Sequence, residues 1–542
     1  MTQTIQAAMT TRRAPPYFDT LDQMLAYHAG ANADRVALSF EGRSQTFADL
    51  ERRAGAVAAG LLAWGLKAGD RIAWLGRNSD RFYEILLGAA RLGVVMTPIG
   101  WRLSADEVGF ILRHAEVKAV FVGPDEAALL DAALLDAAVA SAPDVRHVVA
   151  VEGGVPGRLA YDLWREEAGD LTCWDAVEDT AAVFQVYTSG TTGRPKGVLV
   201  SHRNILAQRR INAEAGAAWD VFTPDDVNLA AMPVGHVGGA VGPLNAMVWG
   251  ARNAILKEFD PAALLRDIEE QQATILFVVP AALQILLSDP RVHEVDFSRV
   301  RQIIYGAAPI PAPLLREAVR VIGCDFMLVY GLTETTGAVV GLTPADHVDP
   351  DHPRLASTGR AFPGVELAIL SPQGERLASG ETGEIAIRAA GTMLGYWRAE
   401  DETRAALSAD GWFRTGDAGS LDAEGYLYIR DRIKDMIVTG GENVYAAEVE
   451  RALLEHPAVA EAAVIGVPDD RWGEAVKALV VLRLGAEASE DALRDACRAR
   501  LAGFKVPRSV EVVATLPRNA TGKVLKHILR QPYWAGRPRN VN

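Results

Sequence analysis

Residues 187–197 form a segment rich in glycine and hydroxyl side chains, with the sequence YTSGTTGRPKG. Its glycines, Gly190, Gly193 and Gly197, allow a backbone to approach a ligand closely. Lys196 adds a mobile cation, and exposed backbone N–H groups can form a nest for an anion. The hydroxyls that could bind phosphate oxygens belong to Thr188, Ser189, Thr191 and Thr192. The segment therefore predicts a phosphate-binding loop, with a plain flexible surface loop as the alternative.

This loop differs from the P-loop of many nucleotide-binding proteins. The P-loop pattern GxxxxGK[ST] requires Ser or Thr directly after the lysine, and Gly197 stands there instead. The order of its letters resembles the signature of the adenylate-forming superfamily, which includes acyl-CoA synthetases, luciferases and peptide-synthetase adenylation domains. Further segments match that family in its own order, namely PVGHVGG (233–239), YGAAP (305–309), YGLTE (330–334), GWFRTGD (411–417), DRIKDMIVTGGENVYAAEVE (431–450) and PRNATGK (517–523).

The resemblance implies a ligase that uses ATP, Mg²⁺ and CoA. In the first of two half-reactions, a carboxylate attacks the α-phosphorus of ATP and pyrophosphate leaves. In the second, a thiol captures the acyl-adenylate. A protein promotes such chemistry mainly by positioning the reactants and neutralising their charge.

The same resemblance assigns nucleotide-binding roles to individual residues. Tyr330 is expected against adenine, Thr333 on the α-phosphate and Glu334 on Mg²⁺. Asp417 would accept from both ribose hydroxyls, assisted by Arg432. The remaining small residues that the motifs place at the nucleotide are Gly306, Ala307, Ala308 and Gly331.

The resemblance also implies that the last 110 residues take part in the reaction. Lys523 would bridge the carboxylate and the nucleotide as charge develops, an electrostatic contribution of about 3–4 kcal/mol. Lys434 lies in the expected hinge, and Gly441 would line a tunnel for the pantetheine arm of CoA. Lys526 is predicted to be an ordinary surface lysine.

His236 resembles the family histidine that borders the acyl carboxylate, and a purely structural histidine is the alternative. An aromatic residue often precedes that histidine in the family, whereas this chain has Gly235. The small residues near His236, together with Ala307 and Ala308, leave room for a long or bulky acyl group. A medium- or long-chain fatty acid is therefore the predicted substrate, with an aryl acid such as a cinnamate or benzoate second.

Composition limits the partners of the chain. Its 542 residues include 69 acidic and 55 basic side chains, for a net charge of −14, which argues against a general nucleic-acid binder. Three cysteines without a CxxC pattern give neither a disulfide framework nor a zinc site. Residues 1–17 have no apolar core typical of a secretory signal, and the longest apolar run is too short to span a bilayer. We expect a cytoplasmic protein with at most peripheral membrane contact, and a homodimer is one open possibility for its assembly.

Alternating apolar strands and amphipathic helices predict an α/β fold with layered sheets. Helical spacing over 46–66 and 82–92, and a capping box from Ser104 to Glu107, mark early helices. Strands over 274–279, 302–305 and 326–330 each run directly into a motif. After residue 430 the pattern restarts as a small α+β domain. We predict a large N-terminal domain of several subdomains (1–430), a hinge (431–435) and a mobile C-terminal lid domain (436–542).

Two other functional classes remain as alternatives. An adenylating enzyme could pass its acyl group to a carrier protein or, like luciferase, to oxygen. Amino-acid adenylation is disfavoured because no acidic residue lies between Pro233 and Trp249 to bind an amino group. A regulatory protein without activity is disfavoured because Glu334, Asp417 and Lys523 are all present.

Overall fold

A computed structural model describes residues 17–123, 132–152, 158–169, 171, 173–188, 195–308, 310–349, 352–518 and 524–535. The chain divides into two compact units: a first unit of Met1–Glu366 with Arg388–Phe413, and a second of Leu367–Ile387 with Arg414–Asn542. The predicted fold class, a large α/β unit with layered sheets and a smaller C-terminal unit, is confirmed. The second unit includes residues on both sides of 431–435, so the predicted hinge and domain limits stay predictions.

The strands, in chain order, are β1 (Val36–Phe40), β2 (Arg43–Thr46), β3 (Arg71–Leu75), β4 (Val95–Ile99), β5 (Val117–Val122), β6 (His147–Ala150), β7 (Leu159–Ala160), β8 (Ala182–Thr188), β9 (Lys196–Ser201), β10 (Val227–Ala230), β11 (Arg252–Ile255), β12 (Ile275–Val278), β13 (Gln302–Gly306), β14 (Asp325–Leu332), β15 (Gly337–Leu342), β16 (Arg360–Ala361), β17 (Glu366–Leu370), β18 (Gly383–Arg388), β19 (Gly395–Tyr396), β20 (Phe413–Leu421), β21 (Leu427–Arg432), β22 (Ile437–Thr439), β23 (Glu442–Val444), β24 (Val459–Asp469), β25 (Gly473–Leu482) and β26 (Ser509–Val512).

The α-helices are α1 (Leu21–Ala31), α2 (Phe47–Ala63), α3 (Asp80–Arg91), α4 (Ala105–His114), α5 (Ala132–Ala140), α6 (Tyr161–Ala168), α7 (His202–Glu214), α8 (Val237–Val248), α9 (Pro261–Glu270), α10 (Pro280–Ser288), α11 (Ala312–Ile322), α12 (Glu400–Ala406), α13 (Ala446–Leu454), α14 (Glu490–Arg498) and α15 (Lys526–Trp534). The capping box predicted at Ser104 starts α4, and an equivalent box from Thr46 to Asp49 starts α2.

Two large sheets form the first unit. One has nine strands in the order β16-β15-β14-β13-β12-β10-β11-β1-β2, and the other has eight in the order β19-β9-β8-β4-β3-β5-β6-β7. Their central strands are parallel; antiparallel pairs close both ends of the nine-stranded sheet and the β19 end of the eight-stranded sheet, whose other end, β6 and β7, is parallel. Parallel strands bring their carboxyl ends to one edge, where sites of α/β proteins collect. The predicted motifs at 305 and 330 lie at such ends, on β13 and β14.

A charged cluster is buried between helices of the first unit. The carboxylate of Glu84, on α3, is fully buried. Its two oxygens accept hydrogen bonds from three arginines, one tyrosine and one glutamine, namely Arg53, Arg81, Arg165, Tyr161 and Gln45. A buried carboxylate is tolerated because these donors replace the water it has lost.

The second unit contains two smaller sheets. Strands β17-β18-β20-β21 form one, and β23-β22-β25-β24 with β26 paired to β25 form the other. Helices α13 and α14 pack on the second sheet around a small apolar core that includes Val449, Leu453 and Leu493. Within the described part of the chain, no helix combines the length and apolar character needed to cross a bilayer.

Candidate active site

The phosphate-loop segment connects two strands of a hairpin. β8 ends at Thr188 and β9 starts at Lys196, and these two residues are paired across the antiparallel ladder. Ser189, Gly190, Thr191, Thr192 and Gly193, which were also predicted to bind phosphate, lie outside the described residues. The structure therefore places Thr188 and Lys196 opposite each other at the two stems of the loop.

Gly197 has a packing role that the sequence did not reveal. A Cβ atom at this position would lie 2.8 Å from the side-chain nitrogen of Gln185 on the neighbouring strand. Its backbone is not in the left-handed region. The close approach that requires glycine here is thus to Gln185, whereas the sequence suggested an approach to phosphate.

The YGLTE motif forms the end of β14 and a short 3-10 helix, Thr333–Thr335. Tyr330 lies on β14, paired with Val340 of β15. A Cβ on Gly331 would lie 1.8 Å from the carbonyl oxygen of Gly337, so only glycine fits between these strands. The hairpin places Thr333 and Glu334 directly after the strand end.

Tyr396 brings the lysine of the phosphate loop and the glutamate of the YGLTE motif together. Its hydroxyl donates to Oε1 of Glu334 at 3.0 Å, and Nζ of Lys196 lies 4.8 Å from its ring centroid. β19, which carries Tyr396, pairs with β9, and the N–H of Met393 donates to the carbonyl of Glu334. Sequence reasoning missed Tyr396.

The YGAAP motif follows β13. A Cβ on Gly306 would lie 2.3 Å from the carbonyl oxygen of Val329 on β14, which excludes any larger residue. Ala307 adopts a left-handed backbone with φ of 65°, and both Ala307 and Ala308 are exposed. The motif therefore presents small side chains and a tight backbone turn beside the end of β14.

His236 immediately precedes α8 and is half-buried, and desolvation lowers the pKa of its imidazole. A Cβ on Gly235 would lie 3.1 Å from Cα of Gly100, so the backbone of a neighbouring loop occupies the place where the family often has an aromatic side chain. Gly238, the second residue of α8, faces the ring of Phe277, and a Cβ built on Gly242, one turn further on, has no described atom within 4 Å. The helix therefore borders open space at Gly242.

In the second unit, Asp417 and Arg432 are paired across β20 and β21. Nε of Arg432 lies 2.6 Å from Oδ1 of Asp417, which is buried. Lys434 lies in a 3-10 helix, and burial lowers the pKa of its amine. Gly441 has φ of 87° and open space where a Cβ would stand. Lys523 lies outside the described residues.

The prediction for Lys526 is wrong. Its Nζ lies 2.8 Å from Oε1 of Glu450, and both side chains are mostly buried. Glu450 and the neighbouring carboxylates of Asp431 and Asp435 raise the pKa of Lys526 despite its burial. Arg530, one turn further along α15, pairs in the same way with Asp435.

Among the described residues, no group of three or more His, Cys, Asp or Glu side chains could hold a metal ion by itself. Glu334 is the predicted metal ligand, and its Oε2 has no protein partner within the described ranges. Mg²⁺ is usually held by one or two carboxylates together with substrate phosphates. A carboxylate oxygen of Glu334 with no partner among the described residues, linked through Tyr396 to Lys196, fits that donor set.

Lys196 at the stem of a glycine-rich loop and the Thr333–Glu334 turn after β14, both at strand ends of the first unit, are typical of an enzyme that binds a nucleotide polyphosphate. The chain belongs to the family of AMP-binding enzymes, whose model matches residues 25–397 and whose C-terminal domain model matches residues 448–523. The predicted class, an acyl-CoA synthetase type of adenylate-forming enzyme, is confirmed.

Known relatives match over nearly the whole chain. A fatty acid–[acyl-carrier-protein] ligase, ScoC of Streptomyces coeruleorubidus, is 37% identical, with 97% of this chain and 99% of the relative aligned. A long-chain-fatty-acid–CoA ligase, FadD13 of Mycobacterium tuberculosis, is 36% identical, with 91% of this chain and 94% of the relative aligned. The crystal structure of ATP-bound MatB from Rhodopseudomonas palustris superposes with a TM-score of 0.84 at 31% identity, covering 95% of this chain and 99% of that one.

Proposed function

We propose that this enzyme is an ATP- and Mg²⁺-dependent acid–CoA ligase, with a medium- or long-chain fatty acid as its substrate. A carboxylate oxygen of the acid attacks the α-phosphorus of ATP, and the bond to pyrophosphate breaks. The thiol of CoA then attacks the acyl carbonyl, loses its proton and releases AMP. The products are acyl-CoA, AMP and pyrophosphate.

The contact of Tyr396 with both Lys196 and Glu334 carries this proposal. We expect Lys196 to meet the outer phosphates and Glu334 to share Mg²⁺ with them. Mg²⁺, when bound, would neutralise charge on the phosphate oxygens. Asp417 would accept from the ribose hydroxyls, and Arg432 would keep that carboxylate oriented. Lys523 and His236 are proposed to stabilise the carboxylate as it reacts.

The experiment is pyrophosphate release with a panel of acids, each with and without CoA. We expect release that depends on ATP and Mg²⁺ and is fastest with octanoate to palmitate, with acyl-CoA and AMP as products. ADP and phosphate as products would overturn the adenylation. Fastest release with ferulate or benzoate would replace the fatty acid by an aryl acid.

The open face of α8 supports a long acyl group. Gly242 has space for a larger side chain, so Gly242→Leu should fill the pocket without harming the helix, where Leu is the better helix former. We expect lower activity with palmitate than with butyrate and no loss in thermal midpoint. Ala308→Trp should act in the same direction by overpacking. Equal losses at all chain lengths would show that neither residue lines the acyl pocket.

A carrier protein is the second candidate acceptor, because the relative from Streptomyces coeruleorubidus is named as an acyl-carrier-protein ligase. The same assay with a phosphopantetheinylated carrier protein in place of CoA distinguishes the two. A higher kcat/KM for the carrier protein than for CoA would move the proposal to that acceptor. A cytoplasmic location, consistent with CoA as co-substrate, stays part of the proposal.

A further inference from the structure

Five side chains of the first unit form a closed ring next to the phosphate loop. Nδ1 of His114 lies 2.7 Å from the hydroxyl of Tyr187, which accepts from Nε2 of Gln185 at 3.0 Å. Oε1 of Gln185 accepts from Nε of Arg71 at 3.3 Å. The guanidinium of Arg71 lies 3.5 Å over the ring of Trp397, and Nε1 of Trp397 donates to the carbonyl of His114 at 2.9 Å.

Every hydrogen bond in the ring except that between Tyr187 and His114 has a fixed direction. Arg71 has only donors, so Gln185 must accept with Oε1 and donate with Nε2. Tyr187 accepts that bond, and its own proton finds an acceptor in the ring only when Nδ1 of His114 carries no proton. The ring is complete only when His114 is neutral with its proton on Nε2.

The ring is attached to both stems of the phosphate loop. Tyr187 directly precedes Thr188 at the end of β8. On the other stem, the N–H of Trp397 donates to the carbonyl of Gly197, and the missing Cβ of Gly197 makes room for Gln185. The ring thus touches the residues that flank Thr188 and Lys196 in the chain.

We propose that Tyr187, Gln185 and Arg71, closed into a ring by Trp397 and His114, are positioning residues that hold the two stems of the phosphate loop for ATP. The proposal rests on ATP use by this site. None of the five needs to touch the nucleotide. Their hydrogen bonds fix the spacing of β8 and β9, and with it the places of Thr188 and Lys196.

The ring also makes ATP binding sensitive to acid. Protonated His114 would donate from Nδ1 to Tyr187, so the partly buried tyrosine hydroxyl would receive two donors and lose the acceptor for its own proton. Burial and then Arg398 lower the pKa of His114, and Glu116 opposes them. Glu116 and Arg398 are ion-paired with each other, and the ring of Phe110 stacks on His114. The neutral form therefore persists somewhat below the usual histidine range.

Calorimetric titration with MgATP, without any acid, tests the proposal. Tyr187→Phe should raise the Kd for ATP about tenfold, the effect of losing a buried hydrogen-bond network member. His114→Phe should do the same. His114→Gln keeps an acceptor for Tyr187 but cannot titrate, so it should bind ATP as the wild type does at pH 7.5. Between pH 7 and 5 the Kd should rise in the wild type and stay nearly constant in His114→Gln.

Tyr161→Phe is the matched control, because it also removes a buried tyrosine hydroxyl, from Glu84, without touching the ring. It should lower the thermal midpoint and leave the Kd unchanged. If Tyr187→Phe lowers the midpoint as Tyr161→Phe does and changes the Kd less than twofold, the ring is structural only and the inference is wrong. Wild-type enzyme that binds ATP but releases no pyrophosphate with any acid would overturn the proposed function. The positioning role of the ring would still be tested by the same Kd values.

Discussion

The two units hold their functional side chains by different interactions. In the first unit, close backbone contacts at glycines and directed hydrogen bonds position the motifs. Gly331 is an example of the first, and the hydrogen bond from Tyr396 to Glu334 is an example of the second. In the second unit, ion pairs do so, as between Asp417 and Arg432 and between Glu450 and Lys526. Coulomb energy changes slowly with distance, whereas steric contact and hydrogen-bond geometry do not. We therefore expect the functional side chains of the first unit to keep their positions closely. Those of the second unit can shift with a smaller loss of interaction energy.

The largest expected effect separates the two half-reactions. Lys523→Ala should slow adenylate formation about 10²- to 10³-fold, because a preorganised positive charge is lost, yet spare thioester formation from supplied acyl-adenylate. Gly441→Leu should do the reverse by obstructing the pantetheine path, and Lys434→Pro should also impair the second step by stiffening the hinge. Single-turnover assays of each half-reaction measure this, with Lys67→Ala as an exposed-lysine control. Impairment of the same step by Lys523→Ala and Gly441→Leu would contradict the division of labour.

Acid should weaken the first unit through His202. This histidine is fully buried, its Nδ1 accepts from the N–H of Leu21, and burial lowers its pKa to about 4. Because the unfolded chain binds the proton at a pKa of 6.5, the stability that neutral His202 supplies is complete above pH 6.5 and is lost as pH falls towards 4, by about 3 kcal/mol in all. Thermal midpoints between pH 7.5 and 4 should fall less steeply in His202→Gln. Equal slopes would exclude His202 as the acid-sensitive group.

Removing one partner of the ion pair between Asp417 and Arg432 should lower the free energy of unfolding by less than protonation of His202 does. Asp417→Asn leaves Arg432 beside a neutral amide, and because Arg432 is one-third exposed we expect about 2 kcal/mol of lost stability. A double-mutant cycle with Arg432→Met measures the coupling. Strictly additive effects of the two substitutions would show that the pair contributes nothing to the unit.

Tyr396→Phe should have the smallest effect. The ring beneath Lys196 remains, and the hydrogen bond from the Tyr396 hydroxyl to Glu334 is lost, so adenylation should slow about fivefold. Initial rates of pyrophosphate release at saturating acid measure it, and Tyr428→Phe, which removes a tyrosine hydroxyl near Asp422, is the control. A loss above a hundredfold would mean that Tyr396 itself contacts the reacting groups.

Sequence patterns predicted the positions of helices and strands better than they predicted which side chains contact each other. Helical spacing and the box from Ser104 to Glu107 gave α2 and α4 to within a few residues, because periodicity and capping are local. The motifs also predicted which strand ends carry the site. Domain limits at 430 and 436 and the role of Lys523 remain predictions.

The missed features all depend on contacts between distant positions. Tyr396 meets Glu334 across 62 residues of sequence, and no local pattern marks either as the other's partner. Lys526 looked like a surface lysine because its partner, Glu450, lies far upstream in the chain. The packing of Gly197 against Gln185 likewise appears only once β8 and β9 pair.

The buried carboxylate of Glu84 limits how this enzyme can change during evolution or engineering. Removing Glu84 alone leaves three arginines without their shared carboxylate in a buried site, at about 3–5 kcal/mol. Replacing the whole cluster by apolar residues could be neutral or better, but a path that first removes Glu84 passes through strongly destabilised intermediates. Stepwise mutation that starts at Glu84 is therefore disfavoured, and a designer who wants a different core there should exchange Glu84 and its arginines in one step.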